Sequence, residues 1–235
     1  MKRLCVICAR GGSKGIKGKN LRPLAGRPLI AHTISQAQDS EMFDSVAVSS
    51  DDDAILEVAR EWKADHLVRR PAELASDTAP KIPAICHCVE SVEERTGVIF
   101  EVIVDLDATA PLRSKDDIRG AIALLEESGG ANVVSGMPAR RSPYFNQVEL
   151  GERGRVRLSK PPQKPIARRQ DAPKCYDLNA SVIVWRREAL FSDSDAVIGD
   201  DTLLYVMPEE RSIDIDTEMD FQFVQFLMAR RASAA

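Results

Sequence analysis

The stretch "LCVICARGGSKGIKGKN", residues 4–20, joins a short apolar run to a basic loop rich in glycine. Residues 4–9 are apolar on both faces, which is typical of a buried strand in a parallel sheet. Residues 9–20 contain four glycines and four lysines or arginines. Because such a loop exposes backbone N–H groups beside its cations, it predicts a site for phosphate oxygens, with a solvated basic loop as the alternative.

Strands and helices alternate after this loop. The expected strands are residues 45–50, 66–69, 100–108 and 131–137, and the expected helices are residues 29–38, 51–62, 79–96 and 115–127. Together with the first strand, this order predicts an α/β fold with a doubly wound, mostly parallel sheet and helices on both faces. Ligands bind beyond the carboxyl ends of such strands, so residues 9–20, 49–53 and 105–113 should share one edge.

The second half of the chain departs from this alternation. Residues 138–180 are rich in proline and arginine and predict an inserted, extended segment within a single domain of residues 1–235. Residues 181–187 predict a returning strand. Residues 212–231 predict a short strand followed by a final amphipathic helix.

Composition limits the classes of partner. The net charge is −4 and the isoelectric point about 5.5, which argues against general nucleic-acid binding. The first 38 residues nevertheless hold eight lysines or arginines and no acid, which permits a local anion site. No apolar run reaches the roughly 20 residues of a membrane span or forms a signal peptide, so we expect a cytoplasmic protein without a membrane partner.

Two common phosphate-binding motifs do not match the loop. A P-loop would require glycine where Ser13 stands and serine or threonine where Asn20 stands. The dinucleotide pattern G-x-G-x-x-G is also absent from the loop. The loop therefore belongs to another class of phosphate site.

Five stretches together resemble one family. They are "ARGGSKGIKGKN" (9–20), "RRPAELASDTA" (69–79), "LDATAPLR" (106–113), "RRQDAPKCYDLNAS" (168–181) and "SIDIDTEMDF" (212–221). In this order they are similar to the sugar-activating cytidylyltransferases, above all the CMP-sialic acid (acylneuraminate) synthetases. The resemblance implies a Rossmann-like nucleotidyltransferase fold. It also implies a Mg²⁺-dependent reaction of CTP with a nine-carbon α-keto acid sugar to give CMP-sugar and pyrophosphate.

The resemblance also assigns residues to the nucleotide. The implied nucleotide-binding residues are Ala9, Arg10, Gly11, Gly12, Ser13, Asn20, Arg70 and Asp77. The implied catalytic residues are Arg10, Lys14, Lys19, Asp214 and Asp216. Fixed cations beside departing pyrophosphate would favour the transition state. For Arg70 and Asp77 the alternative is a surface ion pair, or for Asp77 the cap of the next helix.

Asp214 and Asp216 form a candidate metal pair. They lie two residues apart in the predicted strand, so both side chains should face the same way. Carboxylate oxygens are ligands that Mg²⁺ prefers, although one of the two could instead cap the final helix. The family resemblance favours the metal for both.

Two regions of the chain are expected to bind the sugar. By resemblance, Asp107, Thr109, Arg168, Arg169 and Gln170 contact the sugar, and residues 138–180 drive homodimerisation and reach the partner's pocket. Residues 155–174 hold seven lysines or arginines and one acid, and an arginine fits a sugar carboxylate well. A solvated basic arm is the alternative.

One residue departs from the sialic acid pattern, because those synthetases commonly have glutamine where this chain has Asp107. This exchange leaves both N-acetylneuraminate and a legionaminic-type sugar open. The motifs are also compatible with GTP as donor to a legionaminic-type sugar, with a CMP-Kdo synthetase, and with an inactive nucleotide-binding scaffold.

Overall fold

The predicted alternation is present in the computed structural model, which describes residues 1–12, 15–164, 166, 168–192 and 196–234. Within these residues the strands are β1 (Arg3–Cys8), β2 (Pro23–Leu24), β3 (Arg27–Pro28), β4 (Ser45–Ser50), β5 (His66–Arg69), β6 (Val102–Leu106), β7 (Asn132–Pro138), β8 (Val148–Leu150), β9 (Val156–Leu158), β10 (Tyr176–Arg186) and β11 (Thr202–Val206).

Six α-helices accompany these strands in the described residues, and some of them begin at a side-chain cap. They are α1 (Leu29–Ser40), α2 (Asp53–Glu61), α3 (Lys81–Thr96), α4 (Lys115–Ser128), α5 (Arg187–Leu190) and α6 (Glu218–Ala234). The Asp52 side chain caps α2, and Ser114 and Asp117 form a capping box on α4. Helices α3 and α4 end at Gly97 and Gly129 in the left-handed conformation. In the described part of the chain, no helix is both long and apolar enough to cross a membrane.

Seven strands form one sheet in the order β11-β7-β10-β6-β1-β4-β5. Neighbouring strands are parallel except where β10 pairs with β6 and β7 in the antiparallel sense. The predicted α/β fold with a mostly parallel sheet is therefore confirmed. The parallel strands bring the ends of β1, β4 and β6 to one edge, as the order of the motifs predicts.

Both faces of the sheet are covered by apolar helix residues. Cys5 and Ile7 of β1 face a cluster formed with α1, α2 and α4, and Leu4 and Val6 face a second cluster formed with α3. Side chains alternate between the faces of a strand, which explains the continuous apolar run of β1. A third cluster packs α6 beside the basic loop and contains Ile215.

The prediction of a strand at residues 212–216 is wrong. The segment is extended but belongs to no sheet, and within it Ile215 donates its N–H to the Thr109 carbonyl at 2.9 Å. Ile215 is fully buried and Ile213 partly buried in the third cluster. The alternation that resembles a strand therefore arises because an extended segment crosses an apolar cluster.

Two further elements differ from the sequence prediction. Strand β11 is absent from that prediction, because its residues lie at the edge of the sheet and most are half-buried. Strand β10 begins at Tyr176, five positions before the expected start at residue 181. Between β7 and β10, the inserted residues contain the antiparallel hairpin β8–β9.

Asp117 connects the start of α4 with the segment that precedes residues 212–216. Its carboxylate is 1% exposed and accepts hydrogen bonds from Ser114 N at 2.9 Å and from Arg211 Nε at 2.8 Å and Nη2 at 2.9 Å. Burial alone would raise the pKa of Asp117, but the bonds from Arg211 and Ser114 outweigh it and lower the pKa. We expect Asp117→Asn to reduce the free energy of unfolding by about 2–4 kcal/mol at neutral pH.

This loss should shrink in acid. A carboxyl with a lowered folded-state pKa stabilises the fold above its unfolded-state pKa, and that stability disappears as pH falls through the folded-state pKa, below about 4. Urea unfolding at neutral pH and in steps below pH 4 measures the difference. The control is Asp116→Asn in the same turn, whose side chain is 78% exposed. A loss that is equal for both variants, or independent of pH, would contradict the role of Asp117.

Candidate active site

A pocket of about 370 Å³ lies at the shared edge of the sheet, and we call it the loop pocket. Three segments line it: the basic loop through Ala9, Arg10, Gly15, Lys19 and Asn20, the turn Asp107–Thr109 after β6, and Asp216. Cys8 at the end of β1 completes the wall. Three of the five sequence motifs, 9–20, 106–113 and 212–221, therefore meet around one cavity.

The basic loop is held by hydrogen bonds from its own backbone and side chains. Asn20 is buried and donates from Nδ2 to the Arg10 carbonyl at 3.1 Å, while its Oδ1 has no hydrogen-bond partner among the described residues. Gly11 N donates to Asp51 Oδ1 at 3.0 Å. Asn20 therefore closes the loop and keeps one unused acceptor beside the pocket. Ser13 and Lys14, predicted at the triphosphate, lie outside the described residues.

Lys19 joins the loop to the extended segment at residues 212–216. Its ammonium donates to the Ile215 carbonyl and lies 3.2 Å from Asp216 Oδ1. The Lys19 side chain is 12% exposed, whereas Asp216 is 73% exposed. An ammonium has three N–H donors, so one donor remains for a ligand oxygen in the pocket.

Arg10 and Asp77 form an ion pair across the loop pocket's rim. Arg10 Nη1 lies 2.8 Å from Asp77 Oδ1 and also donates to the Ser76 carbonyl at 3.2 Å. A second cavity of about 260 Å³, which we call the side cavity, contains both residues together with Arg70. Arg70 is buried and donates to Ser49 Oγ at 3.1 Å and to the Ser49 carbonyl at 2.8 Å. The predicted nucleotide-binding residues Arg10, Arg70 and Asp77 thus lie in one connected region.

Of the predicted metal pair, Asp216 lines the loop pocket, whereas Asp214 is not part of its described lining. Burial, followed by the charges of Asp216, Asp107 and Asp220, raises the pKa of Asp214. A cation placed there would relieve this repulsion. No group of three or more histidine, cysteine or acidic side chains is arranged as a metal site among the described residues. The pair nevertheless fits Mg²⁺, which proteins hold through one or two carboxylates together with substrate phosphates.

The turn after β6 fixes Asp107. Thr109 donates from its N–H at 2.9 Å and from its hydroxyl at 2.8 Å to Asp107 Oδ1. Burial would raise the pKa of Asp107, but the charge of Lys81 and the bonds from Thr109 outweigh it and lower the pKa. Since the Thr109 carbonyl also accepts from Ile215, this turn and the Asp214–Asp216 segment are coupled.

Sequence reasoning missed two cations of the site. Lys81 begins α3, and its ammonium lies 2.6 Å from Asp105 Oδ2 and 3.3 Å from Asp107 Oδ2. The two carboxylates outweigh burial and raise the pKa of Lys81, whereas burial raises that of Asp105. Arg113 is 2% exposed and donates to the Asp107 carbonyl at 3.4 Å from Nη1. Arg113 ends the motif "LDATAPLR", but nothing in the sequence near Lys81 indicates its partners.

The residues of the inserted segment that are predicted to contact the sugar are not part of the described lining of the loop pocket. Arg168 pairs with Asp171 at 2.9 Å. Gln170 lines a cavity of about 550 Å³, the insert cavity, together with residues 138, 139, 141, 142 and 172–176. Its described lining shares no residue with the loop pocket. Arg169 lies in the same short helical turn as Gln170.

Gly15 allows the loop to pack closely on the extended segment. A Cβ atom at this position would overlap the backbone oxygen of Asp216. We expect Gly15→Ala to reduce the free energy of unfolding by about 1–3 kcal/mol, because backbone cannot yield as a flexible side chain can. The control is Gly199→Ala, whose added methyl meets nothing within 4 Å. Denaturant unfolding measures both, and equal stability of the two variants would contradict the close packing.

Comparison with known proteins identifies the family. The family model described as Cytidylyltransferase matches residues 4–206. The chain is 42% identical over 96% of its length to CMP-N,N'-diacetyllegionaminic acid synthase of Campylobacter jejuni, covering 94% of that protein. It is 41% identical over 97% of its length to post-translational flagellin modification protein B of Campylobacter coli, covering 95% of it. Pseudaminic acid cytidylyltransferase of Campylobacter jejuni is 30% identical over 97% of this chain and 96% of its own.

Solved structures support the same fold. The structure of CMP:2-keto-3-deoxy-manno-octonic acid synthetase complexed with CTP gives a TM-score of 0.71 at 17% identity, covering 98% of this chain and all of that one. 4-Diphosphocytidyl-2C-methyl-D-erythritol synthase from Anaerococcus prevotii gives a TM-score of 0.64 at 12% identity, covering 97% and 99% of the chains. The family model and the curated relatives, together with the loop pocket, show that this chain is a nucleotidyltransferase that belongs to the cytidylyltransferase family.

Proposed function

We propose that this enzyme transfers CMP from CTP to a nonulosonic acid of the legionaminic type. The observation that carries the proposal is the loop pocket itself, where the basic loop, the Asp107–Thr109 turn and Asp216 meet. The 42% identity with a CMP-N,N'-diacetyllegionaminic acid synthase supports the choice of sugar. Because CTP is a cytoplasmic metabolite, we infer that the enzyme acts in the cytoplasm.

The proposed reaction is a single displacement at the α-phosphorus of CTP. The anomeric hydroxyl oxygen of the sugar forms a bond to the α-phosphorus of CTP and releases its proton to water. The bond between the α-phosphorus and the bridging oxygen breaks, and pyrophosphate leaves with the electron pair. Catalysis of this kind depends on positioning and on neutralising the charge of the leaving group.

The residues of the loop pocket suit these tasks. Lys19 has one N–H donor left for a phosphate oxygen while it keeps its bonds to Ile215 and Asp216. Arg10 would exchange Asp77 for the triphosphate, and Asn20 Oδ1 offers an acceptor to the base or ribose. Asp214 and Asp216 would hold Mg²⁺, which supplies further charge neutralisation at the phosphates when bound.

A substrate panel tests the proposal. The enzyme would be assayed for pyrophosphate release with the four nucleoside triphosphates, crossed with legionaminic, pseudaminic and N-acetylneuraminic acids and Kdo. We expect release with CTP and a legionaminic-type acid. Preference for GTP, or for one of the other three acids, would overturn the assignment of the substrates.

Asp216 is the residue of choice for testing the metal site. We expect Asp216→Asn to lower kcat by about 100-fold or more and to raise the Mg²⁺ concentration needed for half-maximal activity. The matched control is Asp200→Asn, an exposed carboxylate in a surface loop. Turnover of Asp216→Asn equal to that of the control would remove Asp216 from the metal site.

The hairpin β8–β9 supports a homodimer. Val148, Leu150 and Val156 are 52%, 78% and 64% exposed, although apolar side chains concentrated on one hairpin usually pack against a partner. Dimerisation through the inserted segment would let Arg168, Arg169 and Gln170 serve the sugar pocket of the partner subunit. This explains why the insert cavity and the loop pocket lie apart within one chain.

We expect Leu150→Asp combined with Val156→Asp to shift the protein from dimer to monomer, because charges would replace the apolar contact. Light scattering after size-exclusion chromatography measures the mass. The control is Ile198→Asp, an exposed apolar residue outside the hairpin, at 59% exposure. A dimer that persists in the double variant, or a monomeric parent protein, would contradict this interface.

A further inference from the structure

Lys81, Asp105 and Asp107 form a charged cluster behind the loop pocket. Neither Lys81 nor Asp105 has a role in the reaction proposed above. Asp105 is completely buried at the end of β6, and its Oδ2 lies 2.6 Å from the Lys81 ammonium. The same ammonium lies 3.3 Å from Asp107 Oδ2, and the Lys81 side chain is 35% exposed. One cation therefore serves two carboxylates, of which only Asp107 lines the loop pocket.

The contacts of Asp107 limit which groups of a ligand its carboxylate can bind. Thr109 supplies two hydrogen bonds to Oδ1, and Lys81 lies beside Oδ2. The carboxylate plane is thus fixed from both sides. An ionised carboxylate only accepts hydrogen bonds, and each oxygen has two lone pairs, so Oδ2 can still accept one donor from a ligand.

We propose that Lys81 is a positioning residue for sugar recognition, holding Asp107 as a fixed acceptor for an O–H or N–H group of the sugar acid. This inference rests on the proposed function, in which Asp107 contacts the sugar. Without Lys81, two neighbouring carboxylates would face each other with no cation between them. Asp107 would then be held only through Oδ1 by Thr109, and repulsion from Asp105 would disfavour the ionised form that accepts from the substrate.

The main competing role for Lys81 is a direct contact with the nucleotide. Lys81 also lines the side cavity, which contains Arg10 and Arg70. A lysine that bound the triphosphate would govern the KM for CTP. A lysine that acts through Asp107 would govern the KM for the sugar acid, so the two roles can be separated kinetically.

The test compares four variants with the parent enzyme: Lys81→Met, Lys81→Arg, Asp107→Asn and the double variant Lys81→Met with Asp107→Asn. We expect Lys81→Met to raise the KM for the sugar acid by about 10-fold or more, with the KM for CTP changed by less than about twofold. Lys81→Arg should keep the KM for the sugar acid closer to that of the parent enzyme, because it retains a cation at this position. In the Asp107→Asn background, Lys81→Met should add less than about a twofold effect, since its partner is already gone.

Lys115→Met is the matched control, because Lys115 is exposed and also stands at the first position of its helix, α4. Its KM values should equal those of the parent enzyme. If Lys81→Met does not fold, Lys81→Met combined with Asp105→Asn removes the buried unpaired carboxylate. The KM for the sugar acid should still rise in that variant, because Asp107 Oδ2 has lost its contact with the ammonium.

The outcomes separate this inference from the function on which it rests. An active parent enzyme whose sugar KM is unchanged in Lys81→Met would overturn the inference alone, as would a rise confined to the KM for CTP. Additive effects of Lys81→Met and Asp107→Asn would also overturn it. A parent enzyme that releases no pyrophosphate with CTP and any sugar acid would overturn the proposed function and this inference together.

Discussion

A buried guanidinium holds the parts of the active site in register. Arg113 donates to the Asp107 carbonyl at the end of β6, to the Ser181 carbonyl of β10, and to Thr33 Oγ1 and Gln36 Oε1 of α1. Burial lowers its pKa to about 10, so the group stays charged at neutral pH. Since these partners are carbonyl, hydroxyl and amide oxygens on three elements, loss of the guanidinium would leave several buried acceptors unsatisfied. The turn that carries Asp107 and Thr109, and through Thr109 the Asp214–Asp216 segment, depends on this anchor.

The cations of the site are paired with carboxylates before any substrate binds, and the pairs differ in how readily they can exchange. The pair Arg10–Asp77 is 33% and 42% exposed, and exposed pairs contribute little to stability. In the proposed function, a triphosphate would therefore replace Asp77 at small cost. The pair Lys81–Asp105 includes a carboxylate that is completely buried, and breaking such a pair is strongly unfavourable. The first pair suits ligand exchange, whereas the second suits a permanent support.

The sequence predicts the parts of this molecule that follow local periodicity. The alternation from β1 to β7 is visible because each buried strand and each amphipathic helix leaves its own pattern. The same reasoning misreads residues 212–216, because an extended segment over an apolar cluster shows the period of a strand. It also cannot reveal that β10 runs antiparallel or that Lys81 meets Asp105, since these depend on which distant elements become neighbours. The basic loop is identifiable through its glycines and cations, whereas the motif that ends at Arg113 gives no sign of the role of that arginine.

The nucleotide side of the site is easier to recognise in the sequence than the proposed sugar side. This difference has a physical origin, and it affects how readily the choice of sugar can change. Phosphates are recognised largely by backbone N–H groups and by cations in one continuous loop, so the nucleotide side of the site leaves a compact signature in the sequence. In the proposed function, the sugar side would be built from single side chains on separate elements, such as Asp107 after β6 and Lys81 at the start of α3. A change of sugar can therefore follow from one or two substitutions that leave the fold and the nucleotide loop intact. This is why family membership follows from long motifs, while in the proposed function the identity of the sugar would depend on how the carboxylate of Asp107 is held.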